Sequence, residues 1–191
     1  MRYILIRHGL TKGNLEKRYI GCRTDEELCR EGRETLEKML VPPVCRVFAS
    51  PLRRCIETAR ILYPGIAPEP VPDFRECDFG LFENHNYTEL NGRQDYQAWI
   101  DSGGEMPFPG CESRAQFAAR CVKAFHALRE TKPAGDCALI VHGGTIMAIM
   151  EAYARPGGGY YDFQVQNGQG FILEEDGSYI RLSSVTGQAQ T

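Results

Sequence analysis

The chain has 191 residues, 25% of them charged and 42% hydrophobic, with a net charge of −3 from 22 basic and 25 acidic residues. That length suits one globular domain able to bury about two-thirds of its unfolded surface, and the acidic balance speaks against a surface that grips nucleic acid by its phosphates. Apolar runs such as Ile4-Leu5-Ile6 are far shorter than the ~20 residues of a membrane span, and Met1 leads into a strand-like segment without a signal peptide's apolar stretch, so a cytoplasmic protein is expected.

Arg2 to Arg7 encloses a short apolar run, the pattern of a strand buried on both faces. The charged stretch from about Arg30 to Leu40 carries Leu36, Met39 and Leu40 on one side and reads as a helix stopped by Pro42 and Pro43. Val44 to Ala49 is a second strand. Ser50-Pro51 is a good helix start, with Ser as cap and Pro in the first turn. That helix extends to about Leu62 with Leu52, Cys55, Ile56 and Ala59 inward, and Tyr63-Pro64-Gly65 ends it. Prolines break Ile66 to Val71 into an edge strand or an extended link.

Residues 72–112 form an irregular insertion with one helix expected at about Tyr87 to Ile100; long insertions of this kind serve as lids or binding loops. Ser113 and Gln116 have capping-box spacing at the head of a helix that continues to Arg129, with Phe117, Cys121, Phe125 and Leu128 on one face. Ala138 to Val141 is a buried strand, and His142-Gly143-Gly144-Thr145 turns into a helix reaching about Tyr153. Asp176-Gly177 marks a hairpin near the C-terminus. Strands alternating with helices, without repeats, predict an α/β layered domain over 1–191. The eight cysteines are scattered and none forms a C-x-x-C pair, so they read as reduced thiols and no metal site is expected.

Two of the four histidines stand directly after predicted strands, each followed by glycine: Arg7-His8-Gly9 and His142-Gly143-Gly144. Ligand sites of α/β sheets gather at the carboxyl ends of strands. Glycine lets a backbone approach a ligand closely, and the amides of a helix N-terminus favour an anion. His126, on the long helix, and His85, in the insertion, have no such context.

With these motifs the chain resembles the histidine phosphatase superfamily, also called phosphoglycerate mutase-like. Leu5-Ile6-Arg7-His8-Gly9, with Thr11 and Asn14, is similar to the family's nucleophile motif. Ser50-Pro51-Leu52-Arg53-Arg54 with Thr58-Ala59 is similar to its second arginine motif, the motif arginine mapping to Arg54 and not Arg53. Arg75-Glu76-Cys77-Asp78-Phe79-Gly80 resembles its general-acid segment, and Val141-His142-Gly143-Gly144 its second-histidine motif.

The resemblance implies a three-layer α/β/α sandwich with a mostly parallel sheet. It also implies metal- and cofactor-independent hydrolysis of a small-molecule phosphate monoester through a phosphohistidine, with no nucleic-acid or membrane partner. His8 is then the nucleophile and Glu76 the proton donor. Arg7, Arg54 and His142 hold the phosphoryl group, Asn14 and the Gly143 amide add donors, and Gly21 and Cys22 border the substrate. The chemistry is coherent. Phosphoryl transfer needs a positive cradle, an in-line nucleophile and an acid for the leaving group, and two arginines supply permanent forked donors.

Arg18-Tyr19-Ile20-Gly21, Thr24-Asp25, the Trp99 helix and Pro109-Gly110-Cys111-Glu112-Ser113 resemble alpha-ribazole phosphatases and their relatives within the family. Phe79, Phe82, Tyr87, Trp99 and Phe108 either stack on an apolar base, as in alpha-ribazole phosphate, or close the insertion over the core. Departures from the family pattern are Leu10 where Glu is frequent, a longer loop from Gly21 to Asp25, Phe79 in place of Tyr, and Cys111 in place of Gly. Two other readings stand beside hydrolysis. One is a phosphoglycerate mutase, for which the chain offers only Arg93 as a basic residue between Glu76 and Glu112. The other is a phosphate-binding module without turnover.

Overall fold

A computed structural model describes residues 1–182; residues 183–191, which the sequence reading includes in the domain, lie outside the described residues. Strands β1 (Arg2–Arg7), β2 (Arg46–Ala49), β3 (Glu69–Pro70), β4 (Cys137–Val141), β5 (Gly170–Glu174) and β6 (Tyr179–Leu182) form one sheet in the order β3-β2-β4-β1-β5-β6. The pairings from β3 to β1 are parallel, and β5 and β6 add antiparallel at the other edge. The sheet is therefore mostly parallel, as the family resemblance implies.

Side-chain alternation sets the layers. Tyr3 and Leu5 of β1 and Leu139 and Val141 of β4 face one side, against α6 (Arg114–Glu130) and α7 (Gly143–Tyr153). Ile4, Ile6, Ala138 and Ile140 face the other, against α2 (Arg30–Leu36) and α3 (Arg53–Leu62). Strands apolar on both faces must be covered on both, which gives three layers. Ser113 and Gln116 make the expected capping box at the start of α6, and Phe117, Cys121, Phe125 and Leu128 are buried along it. All eight cysteines are free thiols, and no helix among the described residues is long and apolar enough to cross a membrane.

Four local readings change. Helix α2 ends at Leu36, short of the prolines expected to stop it, and Leu40 is exposed. Helix α3 begins later than Ser50-Pro51 suggests: Leu52 occupies the cap position without a side-chain bond, and the Ser50 hydroxyl is instead within 2.8 Å of His142 Nε2. The single helix expected at about Tyr87 to Ile100 is two, α4 (Tyr87–Leu90) and α5 (Gln94–Asp101). They part at Gly92, whose φ of +84° is a helix-ending conformation that glycine adopts without steric cost. A short helix α1 (Lys12–Leu15), capped by Thr11 and Asn14, was not legible as a separate element.

The insertion has an apolar base of its own. Cys77, Phe82, Leu90, Tyr96 and Phe108 pack with Phe117 and Cys121 of α6, Ala148 of α7 and Tyr160. This cluster seats the insertion on α6 and α7. Phe125, in the main core, meets Tyr3 and Tyr153 edge-on at centroid distances of 5.0 and 5.1 Å. Truncation to Phe125→Ala is expected to cost about 3–5 kcal/mol of stability by urea titration; a loss under about 1 kcal/mol would contradict this packing.

Candidate active site

The site follows from sheet register. β1 and β4 are neighbours in parallel, and Arg7 pairs with Val141. The next residue on each strand is a histidine, so His8 and His142 leave the sheet side by side, with ring centroids 5.2 Å apart and planes at 66°. The His8 amide donates to the Val141 carbonyl (3.0 Å), and the Ser50 amide beyond β2 donates to the Ile140 carbonyl (3.0 Å). Three adjacent strand ends thus deliver Ser50, His142 and His8 to one place.

His8 is buried, and its Nδ1 lies 2.7 Å from the Gly9 carbonyl oxygen. A carbonyl can only accept, so Nδ1 carries the proton and Nε2 keeps its lone pair. Burial, reinforced by the charges of Arg54 and Arg7, holds the imidazolium well below its ordinary range, while the Gly9 bond opposes it. His142 is fully buried and is also pushed well down, first by burial and then by Arg54, His8 and Arg7. Both rings are therefore neutral at pH 7 in the unliganded site.

Arg54, in the first turn of α3, is completely buried. Its Nη1 donates to Thr24 O (2.8 Å), and Nη2 to Gly21 O (3.0 Å) and Ile20 O (3.4 Å). That loop is in turn gathered by Glu83, whose Oε1 accepts from the amides of Gly21, Arg23 and Thr24 at 3.0, 3.1 and 2.9 Å. Arg53 points outward and pairs with Glu27. Arg7 donates through Nη1 to Val165 O (2.8 Å). The Nε groups of Arg7 and Arg54 are both buried without a protein partner.

Glu76 has a side chain only 12% exposed, with Oε2 4.0 Å from His142 Nδ1, too far for a hydrogen bond. Burial pushes its carboxyl above the ordinary range, against the Cys77 N–H and the charges of Arg54 and Arg7. Asn14 Oδ1 is engaged by the Thr11 amide (3.2 Å) and Asn167 Nδ2 (3.0 Å). Asn167 also donates to the carbonyls of His8 (3.0 Å) and Gly9 (3.3 Å), bracing the loop that carries His8. The Gly143 amide opens α7 beside Arg7, whose Nε would lie 3.5 Å from a Cβ at that glycine.

The structure therefore brings His8, His142, Arg7, Arg54, Glu76, Asn14 and Gly143 together. Gly21 belongs to the site through its carbonyl, which holds Arg54. Cys22 lies in neither of the two larger cavities; its amide donates to Cys77 O at 3.2 Å. His85 and His126 are exposed and remote from this group. Asn167 and Glu83 were missed, because each acts through contacts that short sequence spacing does not reveal.

Two hollows meet at Arg7. The larger, about 610 Å³, is lined by Leu10, Arg181, Asn167 and several glutamines, and has neither acid nor nucleophile in its walls. The other, about 350 Å³, carries Glu76 and Gly144 and is walled by Tyr19, Phe79, Trp99, Phe108, Phe117, Tyr160 and Tyr161, with Arg114. The smaller one is the candidate substrate pocket, because it holds Glu76. Phe82 is core behind it, and Tyr87 lies on the surface.

Two buried histidines, two arginines and a largely buried carboxyl thus converge at adjacent strand ends. The chain belongs to the histidine phosphatase superfamily (branch 1), whose model matches residues 3–186. It is 27% identical over 178 residues to the adenosylcobalamin/alpha-ribazole phosphatase of Salmonella typhimurium, covering 88% of this chain and 87% of that protein. Among solved structures it is similar to a phosphoglycerate mutase from Thermus thermophilus (28% identity, TM-score 0.74, 96% and 99% coverage). It shares its fold with the alpha-ribazole phosphatase from Shigella flexneri (22% identity, TM-score 0.82, 100% of both chains). Family and relatives make it a phosphatase.

Gly144 is where the acid meets α7: a Cβ there would stand 3.0 Å from Glu76 Oε1 and 2.8 Å from Phe117 Cε1. Gly144→Ala should lower kcat/KM for benzyl phosphate about tenfold or more by crowding Glu76 and the pocket wall, with unchanged circular dichroism. Wild-type kinetics in that variant would refute the close approach.

Proposed function

We propose that the chain is a metal-independent phosphomonoesterase that works through a phosphohistidine at His8. The observation that carries this reading is the tautomer of His8: Nδ1 is tied to the Gly9 carbonyl, which leaves Nε2 as a buried neutral nucleophile beside two arginines. In the first step the Nε2–P bond forms as the P–O ester bond breaks, and the proton of Glu76 passes to the departing oxygen. In the second, Glu76 takes a proton from water as its oxygen attacks phosphorus, and His8 is released.

Arg7 and Arg54 neutralise the phosphoryl oxygens, and their unpartnered Nε groups have donors to give. A dianion between the histidines favours protonation of His142, which then becomes the charged clamp. Asn14 makes no hydrogen bond through Nδ2 among the described residues and can turn that donor to phosphate. The arginines supply the charge that a metal supplies elsewhere.

The pocket beyond Glu76 supports an ester with a flat, largely apolar body. Alpha-ribazole phosphate has that character, and relatives named for it share most of this chain's length. A mutase has less support. Arg93 is bound to Asp95 and does not line the pocket, and Arg114, which does, is already paired with Glu105. A panel of alpha-ribazole phosphate, nucleotides, sugar phosphates and phosphoglycerates should show the highest kcat/KM for the first; a preference for phosphoglycerates would overturn the substrate assignment.

Turnover of p-nitrophenyl phosphate should persist in excess EDTA and vanish in His8→Ala. Acid-labile, base-stable phosphate should be trapped on the wild-type chain and not on that variant; activity surviving in His8→Ala would falsify the mechanism.

The pH dependence has a definite sign. Neutral His8 is lost as pH falls through its depressed pKa, and protonated Glu76 is lost as pH rises through its raised one. The kcat/KM profile for benzyl phosphate should be a bell with its optimum below about pH 6.5. Glu76→Gln should remove the basic limb, and an unchanged basic limb in that variant would exclude Glu76 as the acid.

A further inference from the structure

Arg120 stands on α6, outside every motif that marks the site. Its guanidinium reaches across to the segment that bears Glu76. Nη1 donates to the carbonyls of Asp73 (2.8 Å) and Arg75 (2.7 Å), and Nη2 to the carbonyl of Glu76 itself (3.0 Å). The other edge of the fork is held by Glu112, with Nε to Oε2 at 3.0 Å and Nη2 to Oε1 at 2.7 Å. Glu112 Oε1 also accepts the amide of Asp78 at 3.0 Å.

These bonds bracket the acid from both sides. Past the 3₁₀ turn at Pro72–Phe74, residues 75–79 belong to no helix or strand, so no regular hydrogen-bond ladder fixes Glu76. A further backbone tie to this stretch comes from the Cys22 amide to Cys77 O at 3.2 Å. Arg120 also lies 4.8 Å over the ring of Phe117, which forms the pocket wall beside Glu76. A planar fork suits this task, because it can meet a carboxylate on one edge and carbonyls on another. It does not touch the phosphate cradle, which α3 and the ends of β1 and β4 provide.

We propose that Arg120, braced by Glu112, is a positioning residue for proton donation: it sets the backbone around Glu76 so that the carboxyl meets the leaving oxygen, and it takes no part in phosphate binding. This rests on the phosphohistidine reading with Glu76 as acid. It separates two kinds of ester. Expelling p-nitrophenolate needs little help from a proton donor, whereas expelling benzyl alkoxide needs the proton in the transition state.

The test is kcat/KM, which reports the first irreversible step, for p-nitrophenyl phosphate and benzyl phosphate in wild type, Arg120→Ala, Arg120→Lys and Glu112→Gln. Arg120→Ala should lose about 10²-fold on benzyl phosphate and under about fivefold on p-nitrophenyl phosphate. Its inhibition constant for inorganic phosphate should change less than about twofold. Arg120→Lys, which keeps the charge without the fork, should fall between, and Glu112→Gln should show the same contrast at smaller size.

Equal losses on the two esters, or weakened phosphate binding, would overturn the proposal. Should Arg120→Ala fail to fold by circular dichroism, Glu112→Gln and Arg120→Lys decide, and no leaving-group contrast in either overturns it. A wild type inactive on both esters would overturn the phosphatase mechanism itself, an outcome distinct from a failure of Arg120.

Discussion

The parallel pairing of β1 with β4 is the constraint on which the site depends. Arg7 lies opposite Val141, so the chain's two strand-following histidines leave the sheet at the same level. The same register aligns β2 with β4, which puts Ser50 against His142 and starts α3 close enough for Arg54 to enter from its first turn. A register shift of one residue in β4 would turn Ile140 and Val141 to the opposite layers and remove His142 from His8. Burial of both faces of the central strands fixes that register, so the packing that makes the sheet stable is also the packing that makes the site.

The second constraint is electrostatic. Two guanidinium groups stand near the histidines, Arg54 completely buried and Arg7 half-buried, with backbone carbonyls as their protein partners. Carbonyl dipoles satisfy donors but do not cancel charge, so an excess positive potential remains where an anion is to bind. It acts together with desolvation on the ionisable neighbours. Both histidines are driven neutral, while the buried Glu76 is held protonated over a wider range than a solvated carboxyl. One burial pattern thus favours neutral histidines beside a protonated carboxyl, the pairing of states that the proposed mechanism needs at one pH. Thr58 adds rigidity by accepting from the Gly9 amide at 3.0 Å and donating to Arg54 O at 2.6 Å, so nucleophile loop and cradle helix are joined through one hydroxyl.

Legibility in the sequence tracked range along the chain. β1, β4, α6 with its capping box, and the helix after His142 were readable because their signals are local: apolar runs, cap spacing and glycine after histidine. The residues that gather at the strand ends were readable through the family motifs in which they sit. Ser50 was misread because its best local role, a helix cap, lost to a bond with a histidine 92 positions away. The split of the insertion helix turned on one positive φ at Gly92, which propensity alone does not announce. Glu83, Asn167 and the walls at Tyr160 and Tyr161 carry no motif, since their roles arise only when distant loops meet. Of the aromatic residues offered for stacking, the fold placed Phe79, Trp99 and Phe108 at the pocket, sent Phe82 to the core and left Tyr87 outside.

The molecule accordingly divides into two supporting parts. His8, His142 and the two arginines rest on strand ends and the first turn of α3, which the main core fixes. Glu76 and the walls at Phe79, Trp99 and Phe108 come from the insertion, which packs through its own apolar cluster onto α6 and α7, while Tyr19, Phe117, Tyr160 and Tyr161 complete the pocket from outside it. The histidine–arginine group and the insertion's share of the pocket are thus supported by different packing. Changes among Phe79, Trp99 and Phe108 can reshape the pocket while the cradle stays intact, whereas the acid must remain in place whatever ester fills that pocket. The place where the two parts must agree is the approach of Glu76 to Gly144, at the N-terminus of the helix that His142 caps. There a glycine without a side chain lets a carboxyl from the insertion reach the start of α7.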